Sequence, residues 1–264
     1  MNAKLQITAS RRSSSTYLQN SFVTPPFKVA NITENKLADE LQLMIMCSSP
    51  GVLDNDAYDI EILLKENASV RLHTQSYQRL FPMKTGAVQN MRLHLEVGAS
   101  FTYIPHPSVP HKDAIYKSRN EIYLQERTKL IWGEIITCGR QLKGEVFNFS
   151  KYHSVTKIFI NNKLVVKENL LLQPALTSIS GIGLLEGYTH QASLIYLEEN
   201  VSLSIADDVQ EYLTEKEGVM FGITKLPSNG LLVRLLGYKA EQLFDCLKSI
   251  ADIFSVKRER AAIR

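Results

Sequence analysis

The chain has 264 residues, of which 44% are hydrophobic and 22% are charged, and its formal net charge is +3. These values are typical of a globular protein with one large domain, or one domain and an appendage. The small net charge argues against a nucleic-acid partner, since the only dense basic run is the C-terminal tail. No apolar run reaches the roughly 18 residues of a membrane-spanning helix, so no membrane partner is expected.

The N-terminus and the cysteines indicate a compartment. No apolar stretch follows the polar N-terminal segment, so we expect no secretory signal. The three cysteines, Cys47, Cys138 and Cys246, are odd in number, far apart and set in apolar surroundings. We therefore expect buried, reduced thiols in a cytoplasmic protein, and a four-cysteine zinc site is excluded.

Residues 1–20 are expected to be flexible, and residues 21–202 are predicted to form a β-rich body. In Tyr58–Leu64, apolar residues alternate with acidic ones, which is the pattern of a half-buried strand. Turn signals such as Pro50-Gly51 separate the apolar stretches. The predicted strands are Leu41–Cys47, Tyr58–Leu64, Ser69–His73, Met91–Val97, Glu121–Leu124, Leu130–Thr137, Thr156–Ile160, Lys163–Val166 and Ala192–Leu197. Their regular spacing predicts stacked antiparallel sheets or a coil of strands.

Residues 203–258 are predicted to form a helix, two strands and a second helix, followed by a flexible tail at residues 259–264. The apolar residues of the last helix lie on one face, which we expect to pack on the body, with a partner groove as the alternative. These residues are Leu243, Phe244, Leu247, Ile250 and Phe254. The predicted fold class is mainly β: a stacked or helical arrangement of many short strands, with a C-terminal α+β portion and two flanking helices.

The usual catalytic motifs are absent from the sequence, including the G-x-S-x-G of α/β-hydrolases. Gly139 and Gly144 have the spacing of a phosphate-binding loop, but Glu145 stands where that loop needs a lysine, so we expect no nucleotide hydrolysis. His106 and His111 flank a proline-rich segment. With a carboxylate they would suit a small metal-dependent hydrolase, an alternative hypothesis that requires three ligands at one pocket.

Five segments, in this order, resemble the UreD/UreH family of urease accessory proteins, and the UreH branch most of all. They are Thr24–Lys28, Ser48–Asp56, His73–Arg79, Tyr103–Pro107 with its continuation to Ala114, and Glu134–Phe149. Each segment is weakly specific alone, but the five together cover roughly residues 20–170 in the order of the family.

The resemblance implies a non-catalytic accessory protein of urease maturation. It implies a helical UreF-type partner and a UreG-type GTPase, which together with this chain dock on apo-urease. Nickel would pass through the complex as cargo, with no tightly bound cofactor. The implied fold is a mainly β, helix-like stack of strands with flanking helices, in agreement with the strand pattern.

A path for nickel needs carboxylates that line a wet interior and are few enough to release the ion. The candidates on this chain are Asp56, Glu134, Glu145 and Glu168. Two of them also have a structural interpretation. Glu145 would pair with Arg140, an interpretation that we favour, and Glu168 would occupy an ordinary exposed position.

The other two candidates have structural interpretations as well. Asp56 follows a turn and precedes a strand, where an aspartate commonly forms an Asx turn or caps the strand end. Glu134 lies in an otherwise apolar strand, where a carboxylate needs a partner, hydration or a functional role. The partner would be Arg140 or Lys143, and both interpretations of Glu134 stay open.

Overall fold

Alternation of apolar and polar residues produces a chain made mostly of strands. The computed structural model describes residues 1–35, 39–199, 201 and 204–262, with side chains described as far as residue 255. The elements in chain order are β1 (Asn2–Arg12), β2 (Ser15–Val23), β3 (Phe27–Asn31), β4 (Glu40–Cys47), β5 (Ala57–Leu64), β6 (Ser69–Thr74), β7 (Gln78–Leu80), β8 (Ala87–Leu95), β9 (Ser100–Tyr103), β10 (Ser108–Pro110), β11 (Ile115–Leu124), β12 (Lys129–Thr137), a 3-10 turn (Gln141–Lys143), β13 (Lys151–Ile160), β14 (Lys163–Leu172), β15 (His190–Glu198), α1 (Ile205–Thr214), β16 (Met220–Leu226), β17 (Gly230–Gly237) and α2 (Ala240–Ala262).

In the described part of the chain, the strands form two sheets, of seven and ten strands. The chain passes repeatedly from one sheet to the other. As a result β5, β8, β11 and β13 pair in parallel in the first sheet, and β4, β6, β9 and β12 pair in parallel in the second. The arrangement is a coil of strands closed by antiparallel edge strands, so the predicted mainly β fold class is confirmed.

A narrow third side of the coil connects the two sheets. The short strands β7 and β10 pair in parallel, and Val52 forms a bridge with Leu80 next to them. The Val52 N–H donates to the carbonyl of Arg79 at 2.8 Å. This side gives the interior of the coil a wall of its own between the sheets.

The apolar core lies between the two sheets, and a second core lies behind the second sheet. Strand β12 belongs to both. Trp132 and Ile136 belong to the core between the sheets, whereas Ile131 and Ile135 belong to the core that the helices cover. A strand buried on both faces reads as a nearly continuous apolar run, which explains the strong strand signal here.

The two helices pack on the second sheet. Leu243, Leu247, Ile250 and Phe254 of α2 are buried, and the Phe254 ring stacks on Tyr196 of β15 with 4.1 Å between ring centroids. The apolar face predicted for the last helix therefore packs on the body, as expected. In the described residues, no helix has the length and apolar character needed to cross a membrane.

The N-terminal segment differs from the expectation. Residues 1–20 were expected to be flexible, but they form β1 and most of β2, and β1 pairs in parallel with β5. Four alternate side chains of β1 are buried: Ala3, Leu5, Ile7 and Ala9. This alternation is a strand signal that the polar character of the neighbouring arginines and serines obscures.

The C-terminal portion continues the second sheet, because β15 pairs with β17. Residues 202 and 203, where the boundary was predicted, lie outside the described residues, as do residues 263 and 264 of the predicted tail. The last helix runs through Ala262 rather than ending at residue 258. Among the cysteines, Cys138 and Cys246 are buried as expected, but Cys47 is exposed.

Candidate functional site

Two neighbouring strands of the first sheet carry the same pattern of inward-facing residues. In register, Tyr116, Ser118 and Asn120 of β11 lie beside Tyr152, Ser154 and Thr156 of β13. All six side chains are buried. Polar side chains in a core need hydrogen-bond partners, because an unpaired buried polar group is costly.

Glu134 of β12 accepts hydrogen bonds from this polar layer across the gap between the sheets. Ser154 Oγ donates to its Oε2 at 2.8 Å, and Thr156 Oγ1 donates to its Oε1 at 2.5 Å. The amide of Asn120 and the indole N–H of Trp132 donate to Oε1 at 3.2 and 3.1 Å. All four of these donors are neutral, so within the described part of the chain Glu134 is held by groups that carry no counter-charge.

The ion pair of Glu134 with Arg140 or Lys143, one of the two interpretations left open, is therefore not observed among the described residues. In the described part of the chain, neither residue is a partner of Glu134. Arg140 pairs with Glu145 instead. Three of the neutral partners of Glu134, Asn120, Ser154 and Thr156, come from strands of the opposite sheet, whereas Trp132 lies on the same strand.

A cavity of about 390 Å³ lies between the sheets beside this layer. Glu134, Asn120 and the two tyrosines of the layer line its inner part. Its lining also includes Gln75 and Ser76, which are exposed. The cavity therefore extends from the polar layer to the surface of the protein.

A smaller cavity of about 30 Å³ adjoins the large one. Glu168, Gln191 and Ser193 line it, and Glu134 lines both cavities. Its volume is enough for an ordered water, and its lining offers the several polar partners that a water requires. Glu134 is thus placed where the two cavities meet.

Strand register explains how Glu168 reaches the same place. Glu168 of β14 lies beside Thr156 of β13 in the first sheet. In the second sheet, Glu134 lies beside Ser193, and Ser193 lies beside Arg234 of β17. One nitrogen of Arg234, Nη2, donates to both carboxylate oxygens of Glu168, at 2.7 and 2.9 Å. Glu168 is therefore not an ordinary surface residue, because it lines a cavity and is ion-paired.

Asp56 has a different setting, and in the described residues it lines neither of these cavities. Its carboxylate accepts from the Leu53 N–H at 2.8 Å and from the Tyr58 hydroxyl at 2.9 Å, and the Met1 amino group lies 2.9 Å away. Burial alone would raise the pKa of Asp56, but these hydrogen bonds outweigh burial and lower it. The geometry agrees with the structural interpretation of Asp56.

Glu145 also lies away from the two cavities, as far as the described residues show. Arg140 Nε donates to its Oε2 at 2.8 Å, Arg140 Nη2 contacts its Oε1, and the Lys112 N–H donates at 3.2 Å. The hydrogen bond from Arg140 is the main reason that the pKa of Glu145 falls to about 2. The geometry agrees with the favoured Arg140 pair, and of the four candidates the structure brings together Glu134 and Glu168.

The two histidines of the alternative hypothesis do not share a site. His106 lines the large cavity, with Nδ1 2.9 Å from Thr74 Oγ1 and its ring stacked on Phe244. His111 is buried against Phe81 and is not among the described residues that line the cavity. No group of three or more His, Cys, Asp or Glu residues able to hold a metal occurs in the described chain. The hydrolase hypothesis therefore has no three-ligand site there.

The polar partners of Glu134 were missed because the predicted strands began too late. The predictions started at Glu121 and Thr156, whereas β11 begins at Ile115 and β13 at Lys151. The residues left out of the two predicted strands include Ser118, Asn120 and Ser154. A usable signal was present, because the inward positions of both strands read Tyr, Ser, Asn or Thr, and Ile.

Comparison with known proteins gives a consistent result over nearly the whole chain. The model of the family described as UreD urease accessory protein matches residues 1–263. The chain is 43% identical to the urease accessory protein UreD of Flavobacterium johnsoniae over 99% of this chain and 95% of that protein. It is 38% identical to UreD of Acetivibrio thermocellus, over 95% and 96% of the two chains, and 31% identical to UreD of Actinobacillus pleuropneumoniae serotype 3, over 97% and 98%. These relatives are named as accessory proteins, and the expectation that the chain is not itself an enzyme is confirmed. The chain belongs to the UreD family of urease accessory proteins, as the resemblance predicted.

Proposed function

We propose that this protein conducts nickel to apo-urease during urease maturation, as a scaffold without chemistry of its own. In this proposal it binds a UreF-type partner and, together with a UreG-type GTPase, forms the complex that docks on apo-urease. Family membership supports the role in urease maturation. Nickel is the cargo of the protein rather than a resident cofactor.

The observation that carries the proposal is the position of Glu134 between the two cavities. The large cavity extends from the exposed Ser76 to Glu134, and the small cavity extends from Glu134 to Glu168. A polar route therefore crosses the interior of the coil from one side toward the other. Carboxylates placed along such a route provide separate binding sites for a divalent cation.

The chemistry of these carboxylates suits the passage of Ni²⁺ rather than its storage. Hydroxyl, amide and indole donors hold the Glu134 carboxylate in place without neutralising it. Oxygen ligands bind Ni²⁺ less tightly than imidazole or thiolate ligands do, and they let it exchange water. Conduction requires such weak, repeated binding, because a tight site would trap the ion.

The proposal places this step in the cytoplasm. The buried thiols of Cys138 and Cys246 form no disulfide, which suits a reducing compartment.

The test is nickel-dependent urease activation by the complex reconstituted with the UreF-type and UreG-type partners and apo-urease. We expect Glu134→Gln to assemble normally and to slow activation at limiting nickel by about tenfold, since about 1.4 kcal/mol of lost cation stabilisation has this effect on a rate. Glutamine keeps the shape of the side chain and removes its charge. The matched control is Glu121→Gln, because Glu121 lies on the outer face of β11.

Two results would count against this proposal. Normal activation by Glu134→Gln at limiting nickel would show that the carboxylate is structural and that the route is misplaced. A wild-type chain that neither assembles with the partners nor supports activation would remove the conduit role altogether.

A further inference from the structure

One residue that lines the small cavity, Glu168, is held in an ion pair by a more exposed arginine, Arg234. Glu168 lines the cavity, and Arg234 Nη2 contacts both of its carboxylate oxygens. The Arg234 side chain is 49% exposed and that of Glu168 is 29% exposed. The pair therefore lies at the boundary between the cavity and the surrounding water.

The ion pair joins two strands that lie at or next to the edges of the two sheets. β14 is an edge strand of the first sheet, and β17 lies next to the edge of the second. Arg234 stands in the same cross-strand row as Ser193 and Glu134. Arg234 is thus the outer end of the polar row that begins at Glu134, and from there its side chain contacts Glu168 of the other sheet.

We propose that Arg234 is a gate residue that keeps divalent cations out of the small cavity while its guanidinium group holds Glu168. This inference rests on the proposed function, because a gate needs a route to close. Breaking the ion pair would free the Glu168 carboxylate as the outermost cation-binding site of the route. The trigger would be a contact that draws Arg234 away, such as a carboxylate of the protein that receives the ion.

Two physical features suit Arg234 to this role. Its positive charge repels a cation at the position where the cation must bind, and it occupies both oxygens that would serve as ligands. At the same time, an ion pair this exposed contributes little net free energy, so that it opens at low cost. A buried ion pair in the same position would close the route permanently.

The competing explanation is a structural one, in which the pair only fastens the open edges of the two sheets together. Removing either partner breaks such a fastening, so Arg234→Gln and Glu168→Gln would then have the same effect on the protein. A gate predicts opposite effects on cation binding. Loss of Arg234 exposes a ligand, whereas loss of Glu168 removes it.

The experiment is calorimetric titration of the isolated, tag-free full chain with NiCl₂. The proteins compared are wild type, Arg234→Gln, Glu168→Gln and the double variant. We expect Arg234→Gln to bind Ni²⁺ about tenfold more tightly than wild type, since one nearby positive charge is removed and one carboxylate is released. The gain should disappear in the double variant, and the single variant Glu168→Gln should show none.

Thermal unfolding of the same samples establishes that each variant is folded. If Arg234→Gln does not fold, Arg234→Lys replaces it, because lysine keeps the charge but lacks the planar group, and a smaller gain is expected. A folded Arg234 variant that binds Ni²⁺ no more tightly than wild type overturns the gate. So does a gain that survives in the double variant. Neither result touches the Glu134 activation test, so failure of the gate and failure of the proposed function are distinguishable.

Discussion

At the scale of single residues, Glu134, Glu145 and Glu168 differ in the groups that hold their carboxylates. Glu134 has neutral donors, Glu168 has an exposed arginine, and Glu145 has an arginine in a hydrogen-bonded loop. The same side chain therefore serves three purposes. The environment of each carboxylate, rather than its presence, decides whether a cation can use it.

The surroundings of a carboxylate are also the part of the site that is least predictable from sequence. The Arg140–Glu145 pair could be predicted from the sequence, because its partners lie five residues apart in one loop. Three of the four partners of Glu134 lie on other strands, and Arg234 is separated from Glu168 by 66 residues. Contacts of this kind depend on which strands pair and in which register, and the pairing of strands distant in sequence cannot be inferred from the local pattern of one sequence.

His190 predicts a specific acid sensitivity of folding. It is buried at the start of β15, with Nδ1 2.8 Å from Thr189 Oγ1, and burial lowers its pKa from 6.5 to about 4. The unfolded chain therefore takes up a proton at higher pH than the folded chain does. The resulting loss of stability is absent above the unfolded-state pKa and grows as the pH falls from about 6.5 toward about 4.

We expect the wild-type free energy of unfolding to fall by about 2 kcal/mol more than that of His190→Gln between about pH 7.5 and about pH 5. Urea unfolding of both proteins at the two pH values measures the difference. The other histidines are present in both chains and cancel in the comparison. An identical pH dependence in the two proteins would mean that His190 titrates in the folded state as it does in the unfolded state.

At the scale of elements, the short third side of the coil depends on a glycine. A Cβ on Gly51 would lie 2.4 Å from the carbonyl oxygen of Arg79 and 2.8 Å from a ring carbon of Phe81. Backbone atoms cannot yield as a flexible side chain does, so Gly51→Ala must move the segment that carries Val52 away from β7. We expect a loss of about 1–3 kcal/mol in the free energy of unfolding, the usual range of substitutions that overpack a core.

A second glycine provides the control for this substitution. A Cβ on Gly222 of β16 would meet no heavy atom within 4 Å. Gly222→Ala should therefore leave stability unchanged or raise it slightly, because alanine restricts the unfolded chain. Denaturant unfolding of both variants gives the comparison. Equal stability of the two alanine variants would show that the third side adapts freely.

The elements themselves were predicted unevenly, for identifiable physical reasons. Strand β5 and helix α2 were predicted near their observed positions, because buried residues recur along each with the period of that element. Strand β1 was missed although its alternation is regular, because a polar N-terminus suggested disorder. The starts of β11 and β13 were missed because their inward positions are polar, which breaks the apolar alternation where the candidate site lies.

At the scale of the whole molecule, the coil turns a local alternation into a continuous interior. Each passage of the chain adds one strand to each sheet, so that inward-facing residues of successive strands form rows across the protein. Most of these rows are apolar and form the core. The row of Asn120, Thr156 and Glu168 is polar and faces the row of Glu134, Ser193 and Arg234. A polar row inside a stable coil provides a route without a separate channel domain.

Filling the small cavity without removing a carboxylate tests whether nickel needs the open space of the interior or only the carboxylates that bind it. Ser193 lines the small cavity beside Glu134 and carries no charge. Ser193→Leu fills a cavity of about 30 Å³ and leaves every carboxylate in place. If nickel passes through the interior, this variant should assemble with its partners and yet activate apo-urease several-fold more slowly at limiting nickel, because a filled cavity excludes the ion and its water.

The control for this substitution is Ser193→Ala, which removes the same hydroxyl without filling the cavity and should activate like wild type. Both variants are compared with wild type for assembly, for thermal stability and for the rate of urease activation at several nickel concentrations. Slow activation by both variants would point to the hydroxyl rather than to the space. Normal activation by a folded Ser193→Leu would mean that nickel travels over the surface of the complex, and the interior rows would then serve only to hold the two sheets together.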